Sequence, residues 1–176
     1  MNIETTRLKL RFFQDKDAED VLAYLSSPTV NCFVHDRITT IEQALALIHK
    51  RQLQQDYIAV CLKDTDQLIG ELFFMPEEDS YSVGWNFNAA YHGQGYAFES
   101  VKSFYQYLFD TVNVRRIFAY VEVDNLPSQR LCERLGMRRE GCFKEFISFV
   151  NYPDGTPKYE DTLQYAILKK EWLLHK

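Results

Sequence analysis

The chain has 176 residues, of which 46% are hydrophobic and 15% aromatic; that supply of apolar side chains suffices for one sizeable core and excludes a disordered chain. Its formal net charge of −5 argues against nucleic-acid binding, which normally needs a basic surface, and is compatible with a cationic substrate. No apolar run approaches the length of a membrane span, and the amino terminus MNIETTRLKLRFF lacks the hydrophobic block of a secretory signal, so a single domain over 1–176, soluble and cytoplasmic, is expected.

In chain order, TRLKLRFF alternates charged and apolar residues from Arg7 to Phe12 and reads as a half-exposed strand. A helix follows in DKDAEDVLAYLSS, with acids at its start, Ala18, Val21, Leu22 and Leu25 on one face, and Pro28 as its stop. The loop PTVNCFVHDRI carries aromatic, imidazole and carboxylate groups. TTIEQALALIHKRQLQ opens on hydroxyl caps and spaces Ile41, Ala44, Leu45 and Ile48 as a second helix. YIAVCLK, QLIGELFF and YSVGWNFN read as three strands joined by turns, an antiparallel start to a sheet.

After the stretch YHGQGYAFES, Ala97, Val101, Phe104, Leu108 and Phe109 form a helical stripe ending near Asn113. RRIFAYVEV is a strand. DNLPSQRLCERLG is a short helix, with a cap at or beside Asn125, Pro127 in its first turn and Gly136 after its last. MRREGCFKEFISFV and YEDTLQYAIL are two further strands around the turn NYPDGTP. The fold class is therefore mixed α/β, without internal repeats or a linker.

Four cysteines, Cys32, Cys61, Cys132 and Cys142, lie apart without a C-x-x-C pair, and His35, His49, His92 and His175 are equally scattered. That pattern reads as reduced thiols, and no metal site is expected.

The run from Gly93 to Ala97 removes side chains just where a helix begins. Helix-start N–H groups lack intrahelical partners and carry partial positive charge, so Gly93, Gln94, Gly95, Tyr96 and Ala97 can present main-chain donors to a phosphate. A plain tight turn is the competing explanation. The run lacks the Gly-Lys-Ser/Thr ending of a P-loop and the third glycine of a dinucleotide fingerprint, which sets ATP, GTP and NAD aside.

From TRLKLR through IGELFF, VGWNF, YHGQGYAFE and DNLPSQRLCERLGM to the closing strand pair, the chain resembles the GNAT N-acetyltransferases, especially the subgroup of bacterial ribosomal-protein N-terminal acetyltransferases. The resemblance implies a mostly antiparallel sheet of about seven strands with flanking helices, in which VGWNF splays from RRIFAYVEV. It also implies acetyl-CoA as cosubstrate: the diphosphate on the glycine run, pantetheine along the main chain near Phe87, and Asn125 and Ser128 beside the pantetheine arm and thioester. His92 stands where the family pattern has Gln or Arg, so either a phosphate contact or a packing role is open to it.

Acetyl transfer needs a neutral amine, support for the oxyanion and an acid for the thiolate; a lysine-like amine has a reference pKa of about 10.4, so a base is required. Where many relatives carry a glutamate before the strand's glycine, this chain has Ser82. Glu71, Glu145, Asp36 and His35 are the alternatives, each equally readable as a structural or surface group. Where many relatives carry an acidic tyrosine stands Cys132, which leaves Ser128 as candidate general acid, against a capping role. A backbone N–H near Phe87 can support the oxyanion. If the family geometry holds, NCFVHD and EFISFVNYPDG wall the acceptor groove, with Phe33, His35, Phe146, Phe149 and Tyr152 as contacts. The expected acceptor is a small-molecule amine, a polyamine or a peptide amino terminus, with a homodimer left open and neither nucleic acid nor membrane as partner. The alternative is a non-catalytic acyl-CoA-binding module.

Overall fold

The computed structural model describes residues 1–175; Lys176 and the His175 side chain, one of the four histidines noted above, lie outside the described residues. Eight strands form one sheet: β1 (Asn2–Glu4), β2 (Leu8–Arg11), β3 (Tyr57–Leu62), β4 (Leu68–Glu77), β5 (Ser80–Phe87), β6 (Arg116–Glu122), β7 (Arg138–Asn151) and β8 (Pro157–Leu168). Their spatial order is β1-β2-β3-β4-β5-β6-β8-β7. All neighbours run antiparallel except β5 and β6. The eighth strand, β1, is too short at three residues to show a period in the sequence.

Period-two alternation distributes side chains to two cores. Ile58 and Val60 of β3 join α3 (Tyr96–Tyr107) and α4 (Leu126–Arg134) on one face, whereas Ala59 and Cys61 join α1 (Ala18–Leu25) and α2 (Ile41–Gln54) on the other. Thr40 caps α2 by accepting from the Gln43 N–H, as its position before the apolar spacing indicates. Buried Arg11 makes two 2.8 Å contacts to Asp17, tying β2 to the start of α1. α3 ends in a π-helical turn, Leu108–Val112, with Asn113 left-handed. The short terminal helix α5 (Lys169–Trp172) lays Trp172 against Tyr105 and Phe109.

The feature that makes a site is where the sheet fails to close. β5 and β6 pair only from Ser80–Ser82 to Arg116–Phe118 and then diverge. The Asn88 N–H reaches the Ile69 carbonyl, so even-numbered residues of β5 bond to β4, while the peptide groups of Val83, Trp85 and Phe87 face the gap.

Candidate active site

The gap opens into a cleft of about 1040 Å³, bounded by β5 and β6, the glycine loop, α4 and the 31–36 turn. The turn is a 3₁₀ helix, Asn31–Asp36, inside the stretch expected to be loop. Among the described residues no helix is long and apolar enough to cross a membrane, and no group of three or more metal-ligating side chains occurs. The four cysteines are free.

At one end lies the loop His92–Gly95. Gly93 and Gly95 have φ of 75° and 83°, a region that disfavours side chains. A Cβ on Gly93 would meet nothing within 4 Å, so the space above the loop is open. α3 starts at Tyr96 without a side-chain cap, leaving its first N–H groups for an external acceptor. Glu99, one turn in, would repel an anion but is drawn aside: Thr5 Oγ1 donates to it at 2.6 Å and Arg7 Nε at 2.7 Å. Arg7 also donates to the Gln94 carbonyl and lies over the Tyr96 ring. His92 Nε2 donates to the Phe87 carbonyl at 3.0 Å, which staples the loop to the end of β5. These residues fit a diphosphate in shape and charge.

The cap of α4 comes from Asn125. Its side-chain oxygen accepts from the Ser128 N–H at 3.2 Å and caps α4, so the Ser128 hydroxyl is free of that duty. The hydroxyl oxygen instead accepts from Trp85 Nε1 at 3.2 Å, and both residues line the cleft. An oxygen that accepts the indole N–H keeps its own proton to donate. Cys132 is fully buried and burial pushes its thiol up to about 12; it packs rather than reacts. Arg130 and Arg134 add positive charge to this end, with Arg134 over the Phe98 ring.

The carboxylates sort by position. Glu71 is completely buried against Arg51, with one contact at 2.5 Å, and does not line the cleft; burial pushes it up to about 7 against the pull of Arg51. Glu145 sits at positive φ on β7, with its N–H on Asp161, and is exposed outside the cleft. His35 is likewise exposed and outside, whereas Asp36 lines the wall. Glu122, at the end of β6, lines the cleft too. Burial raises its pKa and the nearby Glu160 charge adds to the rise. Nothing periodic in the sequence singles out Glu122, since its access depends on the strand splay.

Of the expected acceptor contacts, Phe33 lines the cleft, edge-on to Phe73 with centroids 6.1 Å apart. Phe146 is exposed and reaches the cleft only through Tyr120, 5.7 Å away. Phe149 and Tyr152 do not line it. Tyr57 and Phe73, strand residues that carry no motif in the sequence, complete the wall, their centroids 5.6 Å apart. Gly84 makes this possible, because a Cβ there would stand 2.1 Å from the Phe73 ring.

A cleft with an anion cradle at one end and a hydroxyl and carboxylate midway suits an enzyme that takes an acyl group from a phosphate-bearing carrier. The acetyltransferase (GNAT) domain model matches residues 7–138. A protein of Bacillus subtilis (strain 168) named uncharacterized N-acetyltransferase YnaD is 37% identical over 98% of this chain and 99% of its own. The crystal structure of an acetyltransferase (GNAT family) from Bacillus anthracis has a TM-score of 0.87 at 34% identity, over 97% of this chain and 100% of that one. RimL, a ribosomal L7/L12 alpha-N-protein acetyltransferase in complex with coenzyme A, shares the fold with a TM-score of 0.75 at 18% identity, over 96% and 98% of the two chains. The chain belongs to the GNAT family and is an acetyltransferase, and the family uses acetyl-CoA.

Proposed function

We propose that the protein transfers acetyl from acetyl-CoA to a primary amine by direct attack in a ternary complex. The observation that carries the chemistry is the Ser128 hydroxyl, released from capping by Asn125, oriented by Trp85, and set in the same cleft as Glu122.

Acetyl-CoA supplies an activated acyl group with a thiolate leaving group. The bare N–H groups of residues 93–98 receive its diphosphate, and the open β5 edge from Val83 to Phe87 receives the amides of its arm as an added strand. The Phe87 carbonyl is occupied by His92, so the N–H of this residue is the group left to face the thioester oxygen. Glu122 takes a proton of the incoming ammonium, and burial, which raises its pKa, makes it a stronger base than an ordinary carboxylate. The neutral nitrogen attacks, a C–N bond forms and its second proton passes to water; the C–S bond breaks, Ser128 gives its proton to the departing sulfur and recovers one from solvent, and Glu122 releases the proton it took.

The test is incubation with acetyl-CoA and a panel of amines, reading free thiol and acetylated product together. Parallel appearance of both supports the proposal. Saturable CoA binding with no product from any amine overturns it.

A further inference from the structure

The cleft is polarised along its length. Every basic side chain that lines it, His92, Arg130 and Arg134, belongs to the glycine loop or α4. Away from them the cleft is lined by three aromatic rings, Phe33, Tyr57 and Phe73, and the carboxylate of Asp36; Glu122 lies midway, beside Asn125, and Asp124 adds a third carboxylate next to α4. Arg51 lies over the Tyr57 ring but is buried on Glu71 and does not reach the cleft. Among the described residues no lysine, arginine or histidine forms an ion pair with Asp36 or Glu122. Asp36 and Glu122 line the same cleft, as does Cys32.

We propose that the acceptor is an aliphatic diamine or polyamine, whose second cation sits at Asp36 beside the Phe33, Tyr57 and Phe73 rings while its reacting nitrogen meets Glu122. This rests on the acetyl-transfer reading above. One carboxylate is enough to take the proton of the reacting amine. The other, exposed Asp36, is left beside aromatic faces, an arrangement that attracts an ammonium by charge and by the ring quadrupoles together. The methylene stem of such an amine packs on the same rings. A peptide amino terminus brings one cation and several backbone polar groups, which aromatic walls leave unsatisfied.

The probes are cadaverine, spermidine, pentylamine and a tripeptide with a free amino terminus. Cadaverine and spermidine are expected to exceed pentylamine in kcat/KM by about threefold or more, the scale of one added ion pair at an exposed carboxylate. Asp36→Asn is expected to raise KM for cadaverine about threefold, with kcat moving less, and Asp36→Glu to restore most of the preference. Cadaverine should also raise the melting temperature of the wild-type protein saturably, and not that of Asp36→Asn. Equal kcat/KM for cadaverine and pentylamine, a preference that survives Asp36→Asn, or a tripeptide that outruns every amine overturns the proposal. If CoA binds but no amine turns over, the transfer reading fails by itself. The cadaverine melting shift then decides the amine site, and its absence overturns that too.

Discussion

The indole N–H of Trp85 reaches the Ser128 hydroxyl oxygen across the gap between β5 and α4, at 3.2 Å. That bond orients the hydroxyl proposed to protonate the departing sulfur. Ser128→Ala should lower kcat by about 100-fold, the lower range for loss of a general acid, with little change in CoA affinity. Trp85→Phe should give a smaller fall, because the hydroxyl remains but loses its orientation. Steady-state thiol release beside calorimetric CoA titration checks both; an unchanged kcat in Ser128→Ala would return the serine to a packing role.

The glycine loop yields a prediction that separates backbone strain from ligand access. Gly93→Asn keeps a residue that tolerates φ of 75°, so its melting temperature should fall little. Its side chain enters the open space above the amides, and CoA binding should weaken at least about tenfold, or ~1.4 kcal/mol. Equal affinity for CoA would place the diphosphate elsewhere.

Activity should follow the ionisation of Glu122. A base works only when deprotonated, and burial raises this pKa, so kcat/KM should climb with pH through a limb above the ordinary carboxylate range of about 4.3. Glu122→Gln should remove that limb and slow turnover. A limb that persists in the variant would assign the base to another group.

Stability should respond to Glu71 in a different pH window. Folding lifts its pKa from 4.5 to about 7, so the folded state binds the proton more tightly than the unfolded chain does. Its contribution is fully present below about 4.5 and is lost as pH rises through about 7. Glu140, held low by the Arg116 hydrogen bond, has the opposite sign and loses its contribution as pH falls through its lowered pKa. Urea midpoints of wild type and Glu71→Gln between pH values of about 5 and 8 should therefore show a downward slope in the wild type that is shallower in the variant.

Gly84 and Phe73 set the acceptor wall. Gly84→Ala would put a Cβ 2.1 Å from the ring, which must swing away at a cost of about 1–3 kcal/mol. The expected result is a lower melting temperature and a raised acceptor KM with nearly unchanged CoA affinity. Thermal unfolding and kinetics with both substrates measure this.

Much of this protein was legible one residue after another. The helix of Leu126–Arg134 follows from Asn125 and Pro127, and the loop before Tyr96 from two glycines that take positive φ, because caps and turns are local backbone chemistry. The hairpin from β4 to β5 follows from alternating apolar residues around Glu77–Ser80, for the same reason.

Other features had no local trace. In sequence Glu71 and Glu145 are as eligible for base chemistry as any carboxylate, yet one is sealed against Arg51 and the other lies outside the cleft. Glu122 and Trp85 gained their places only when β5 and β6 parted after three paired residues. Sequence determined which segments coil, extend or turn, since those choices are made among neighbours a few bonds apart. Which side chains meet across the cleft was decided by the packing of strands distant in the chain, where solvent access and hydrogen-bond partners come from other segments altogether.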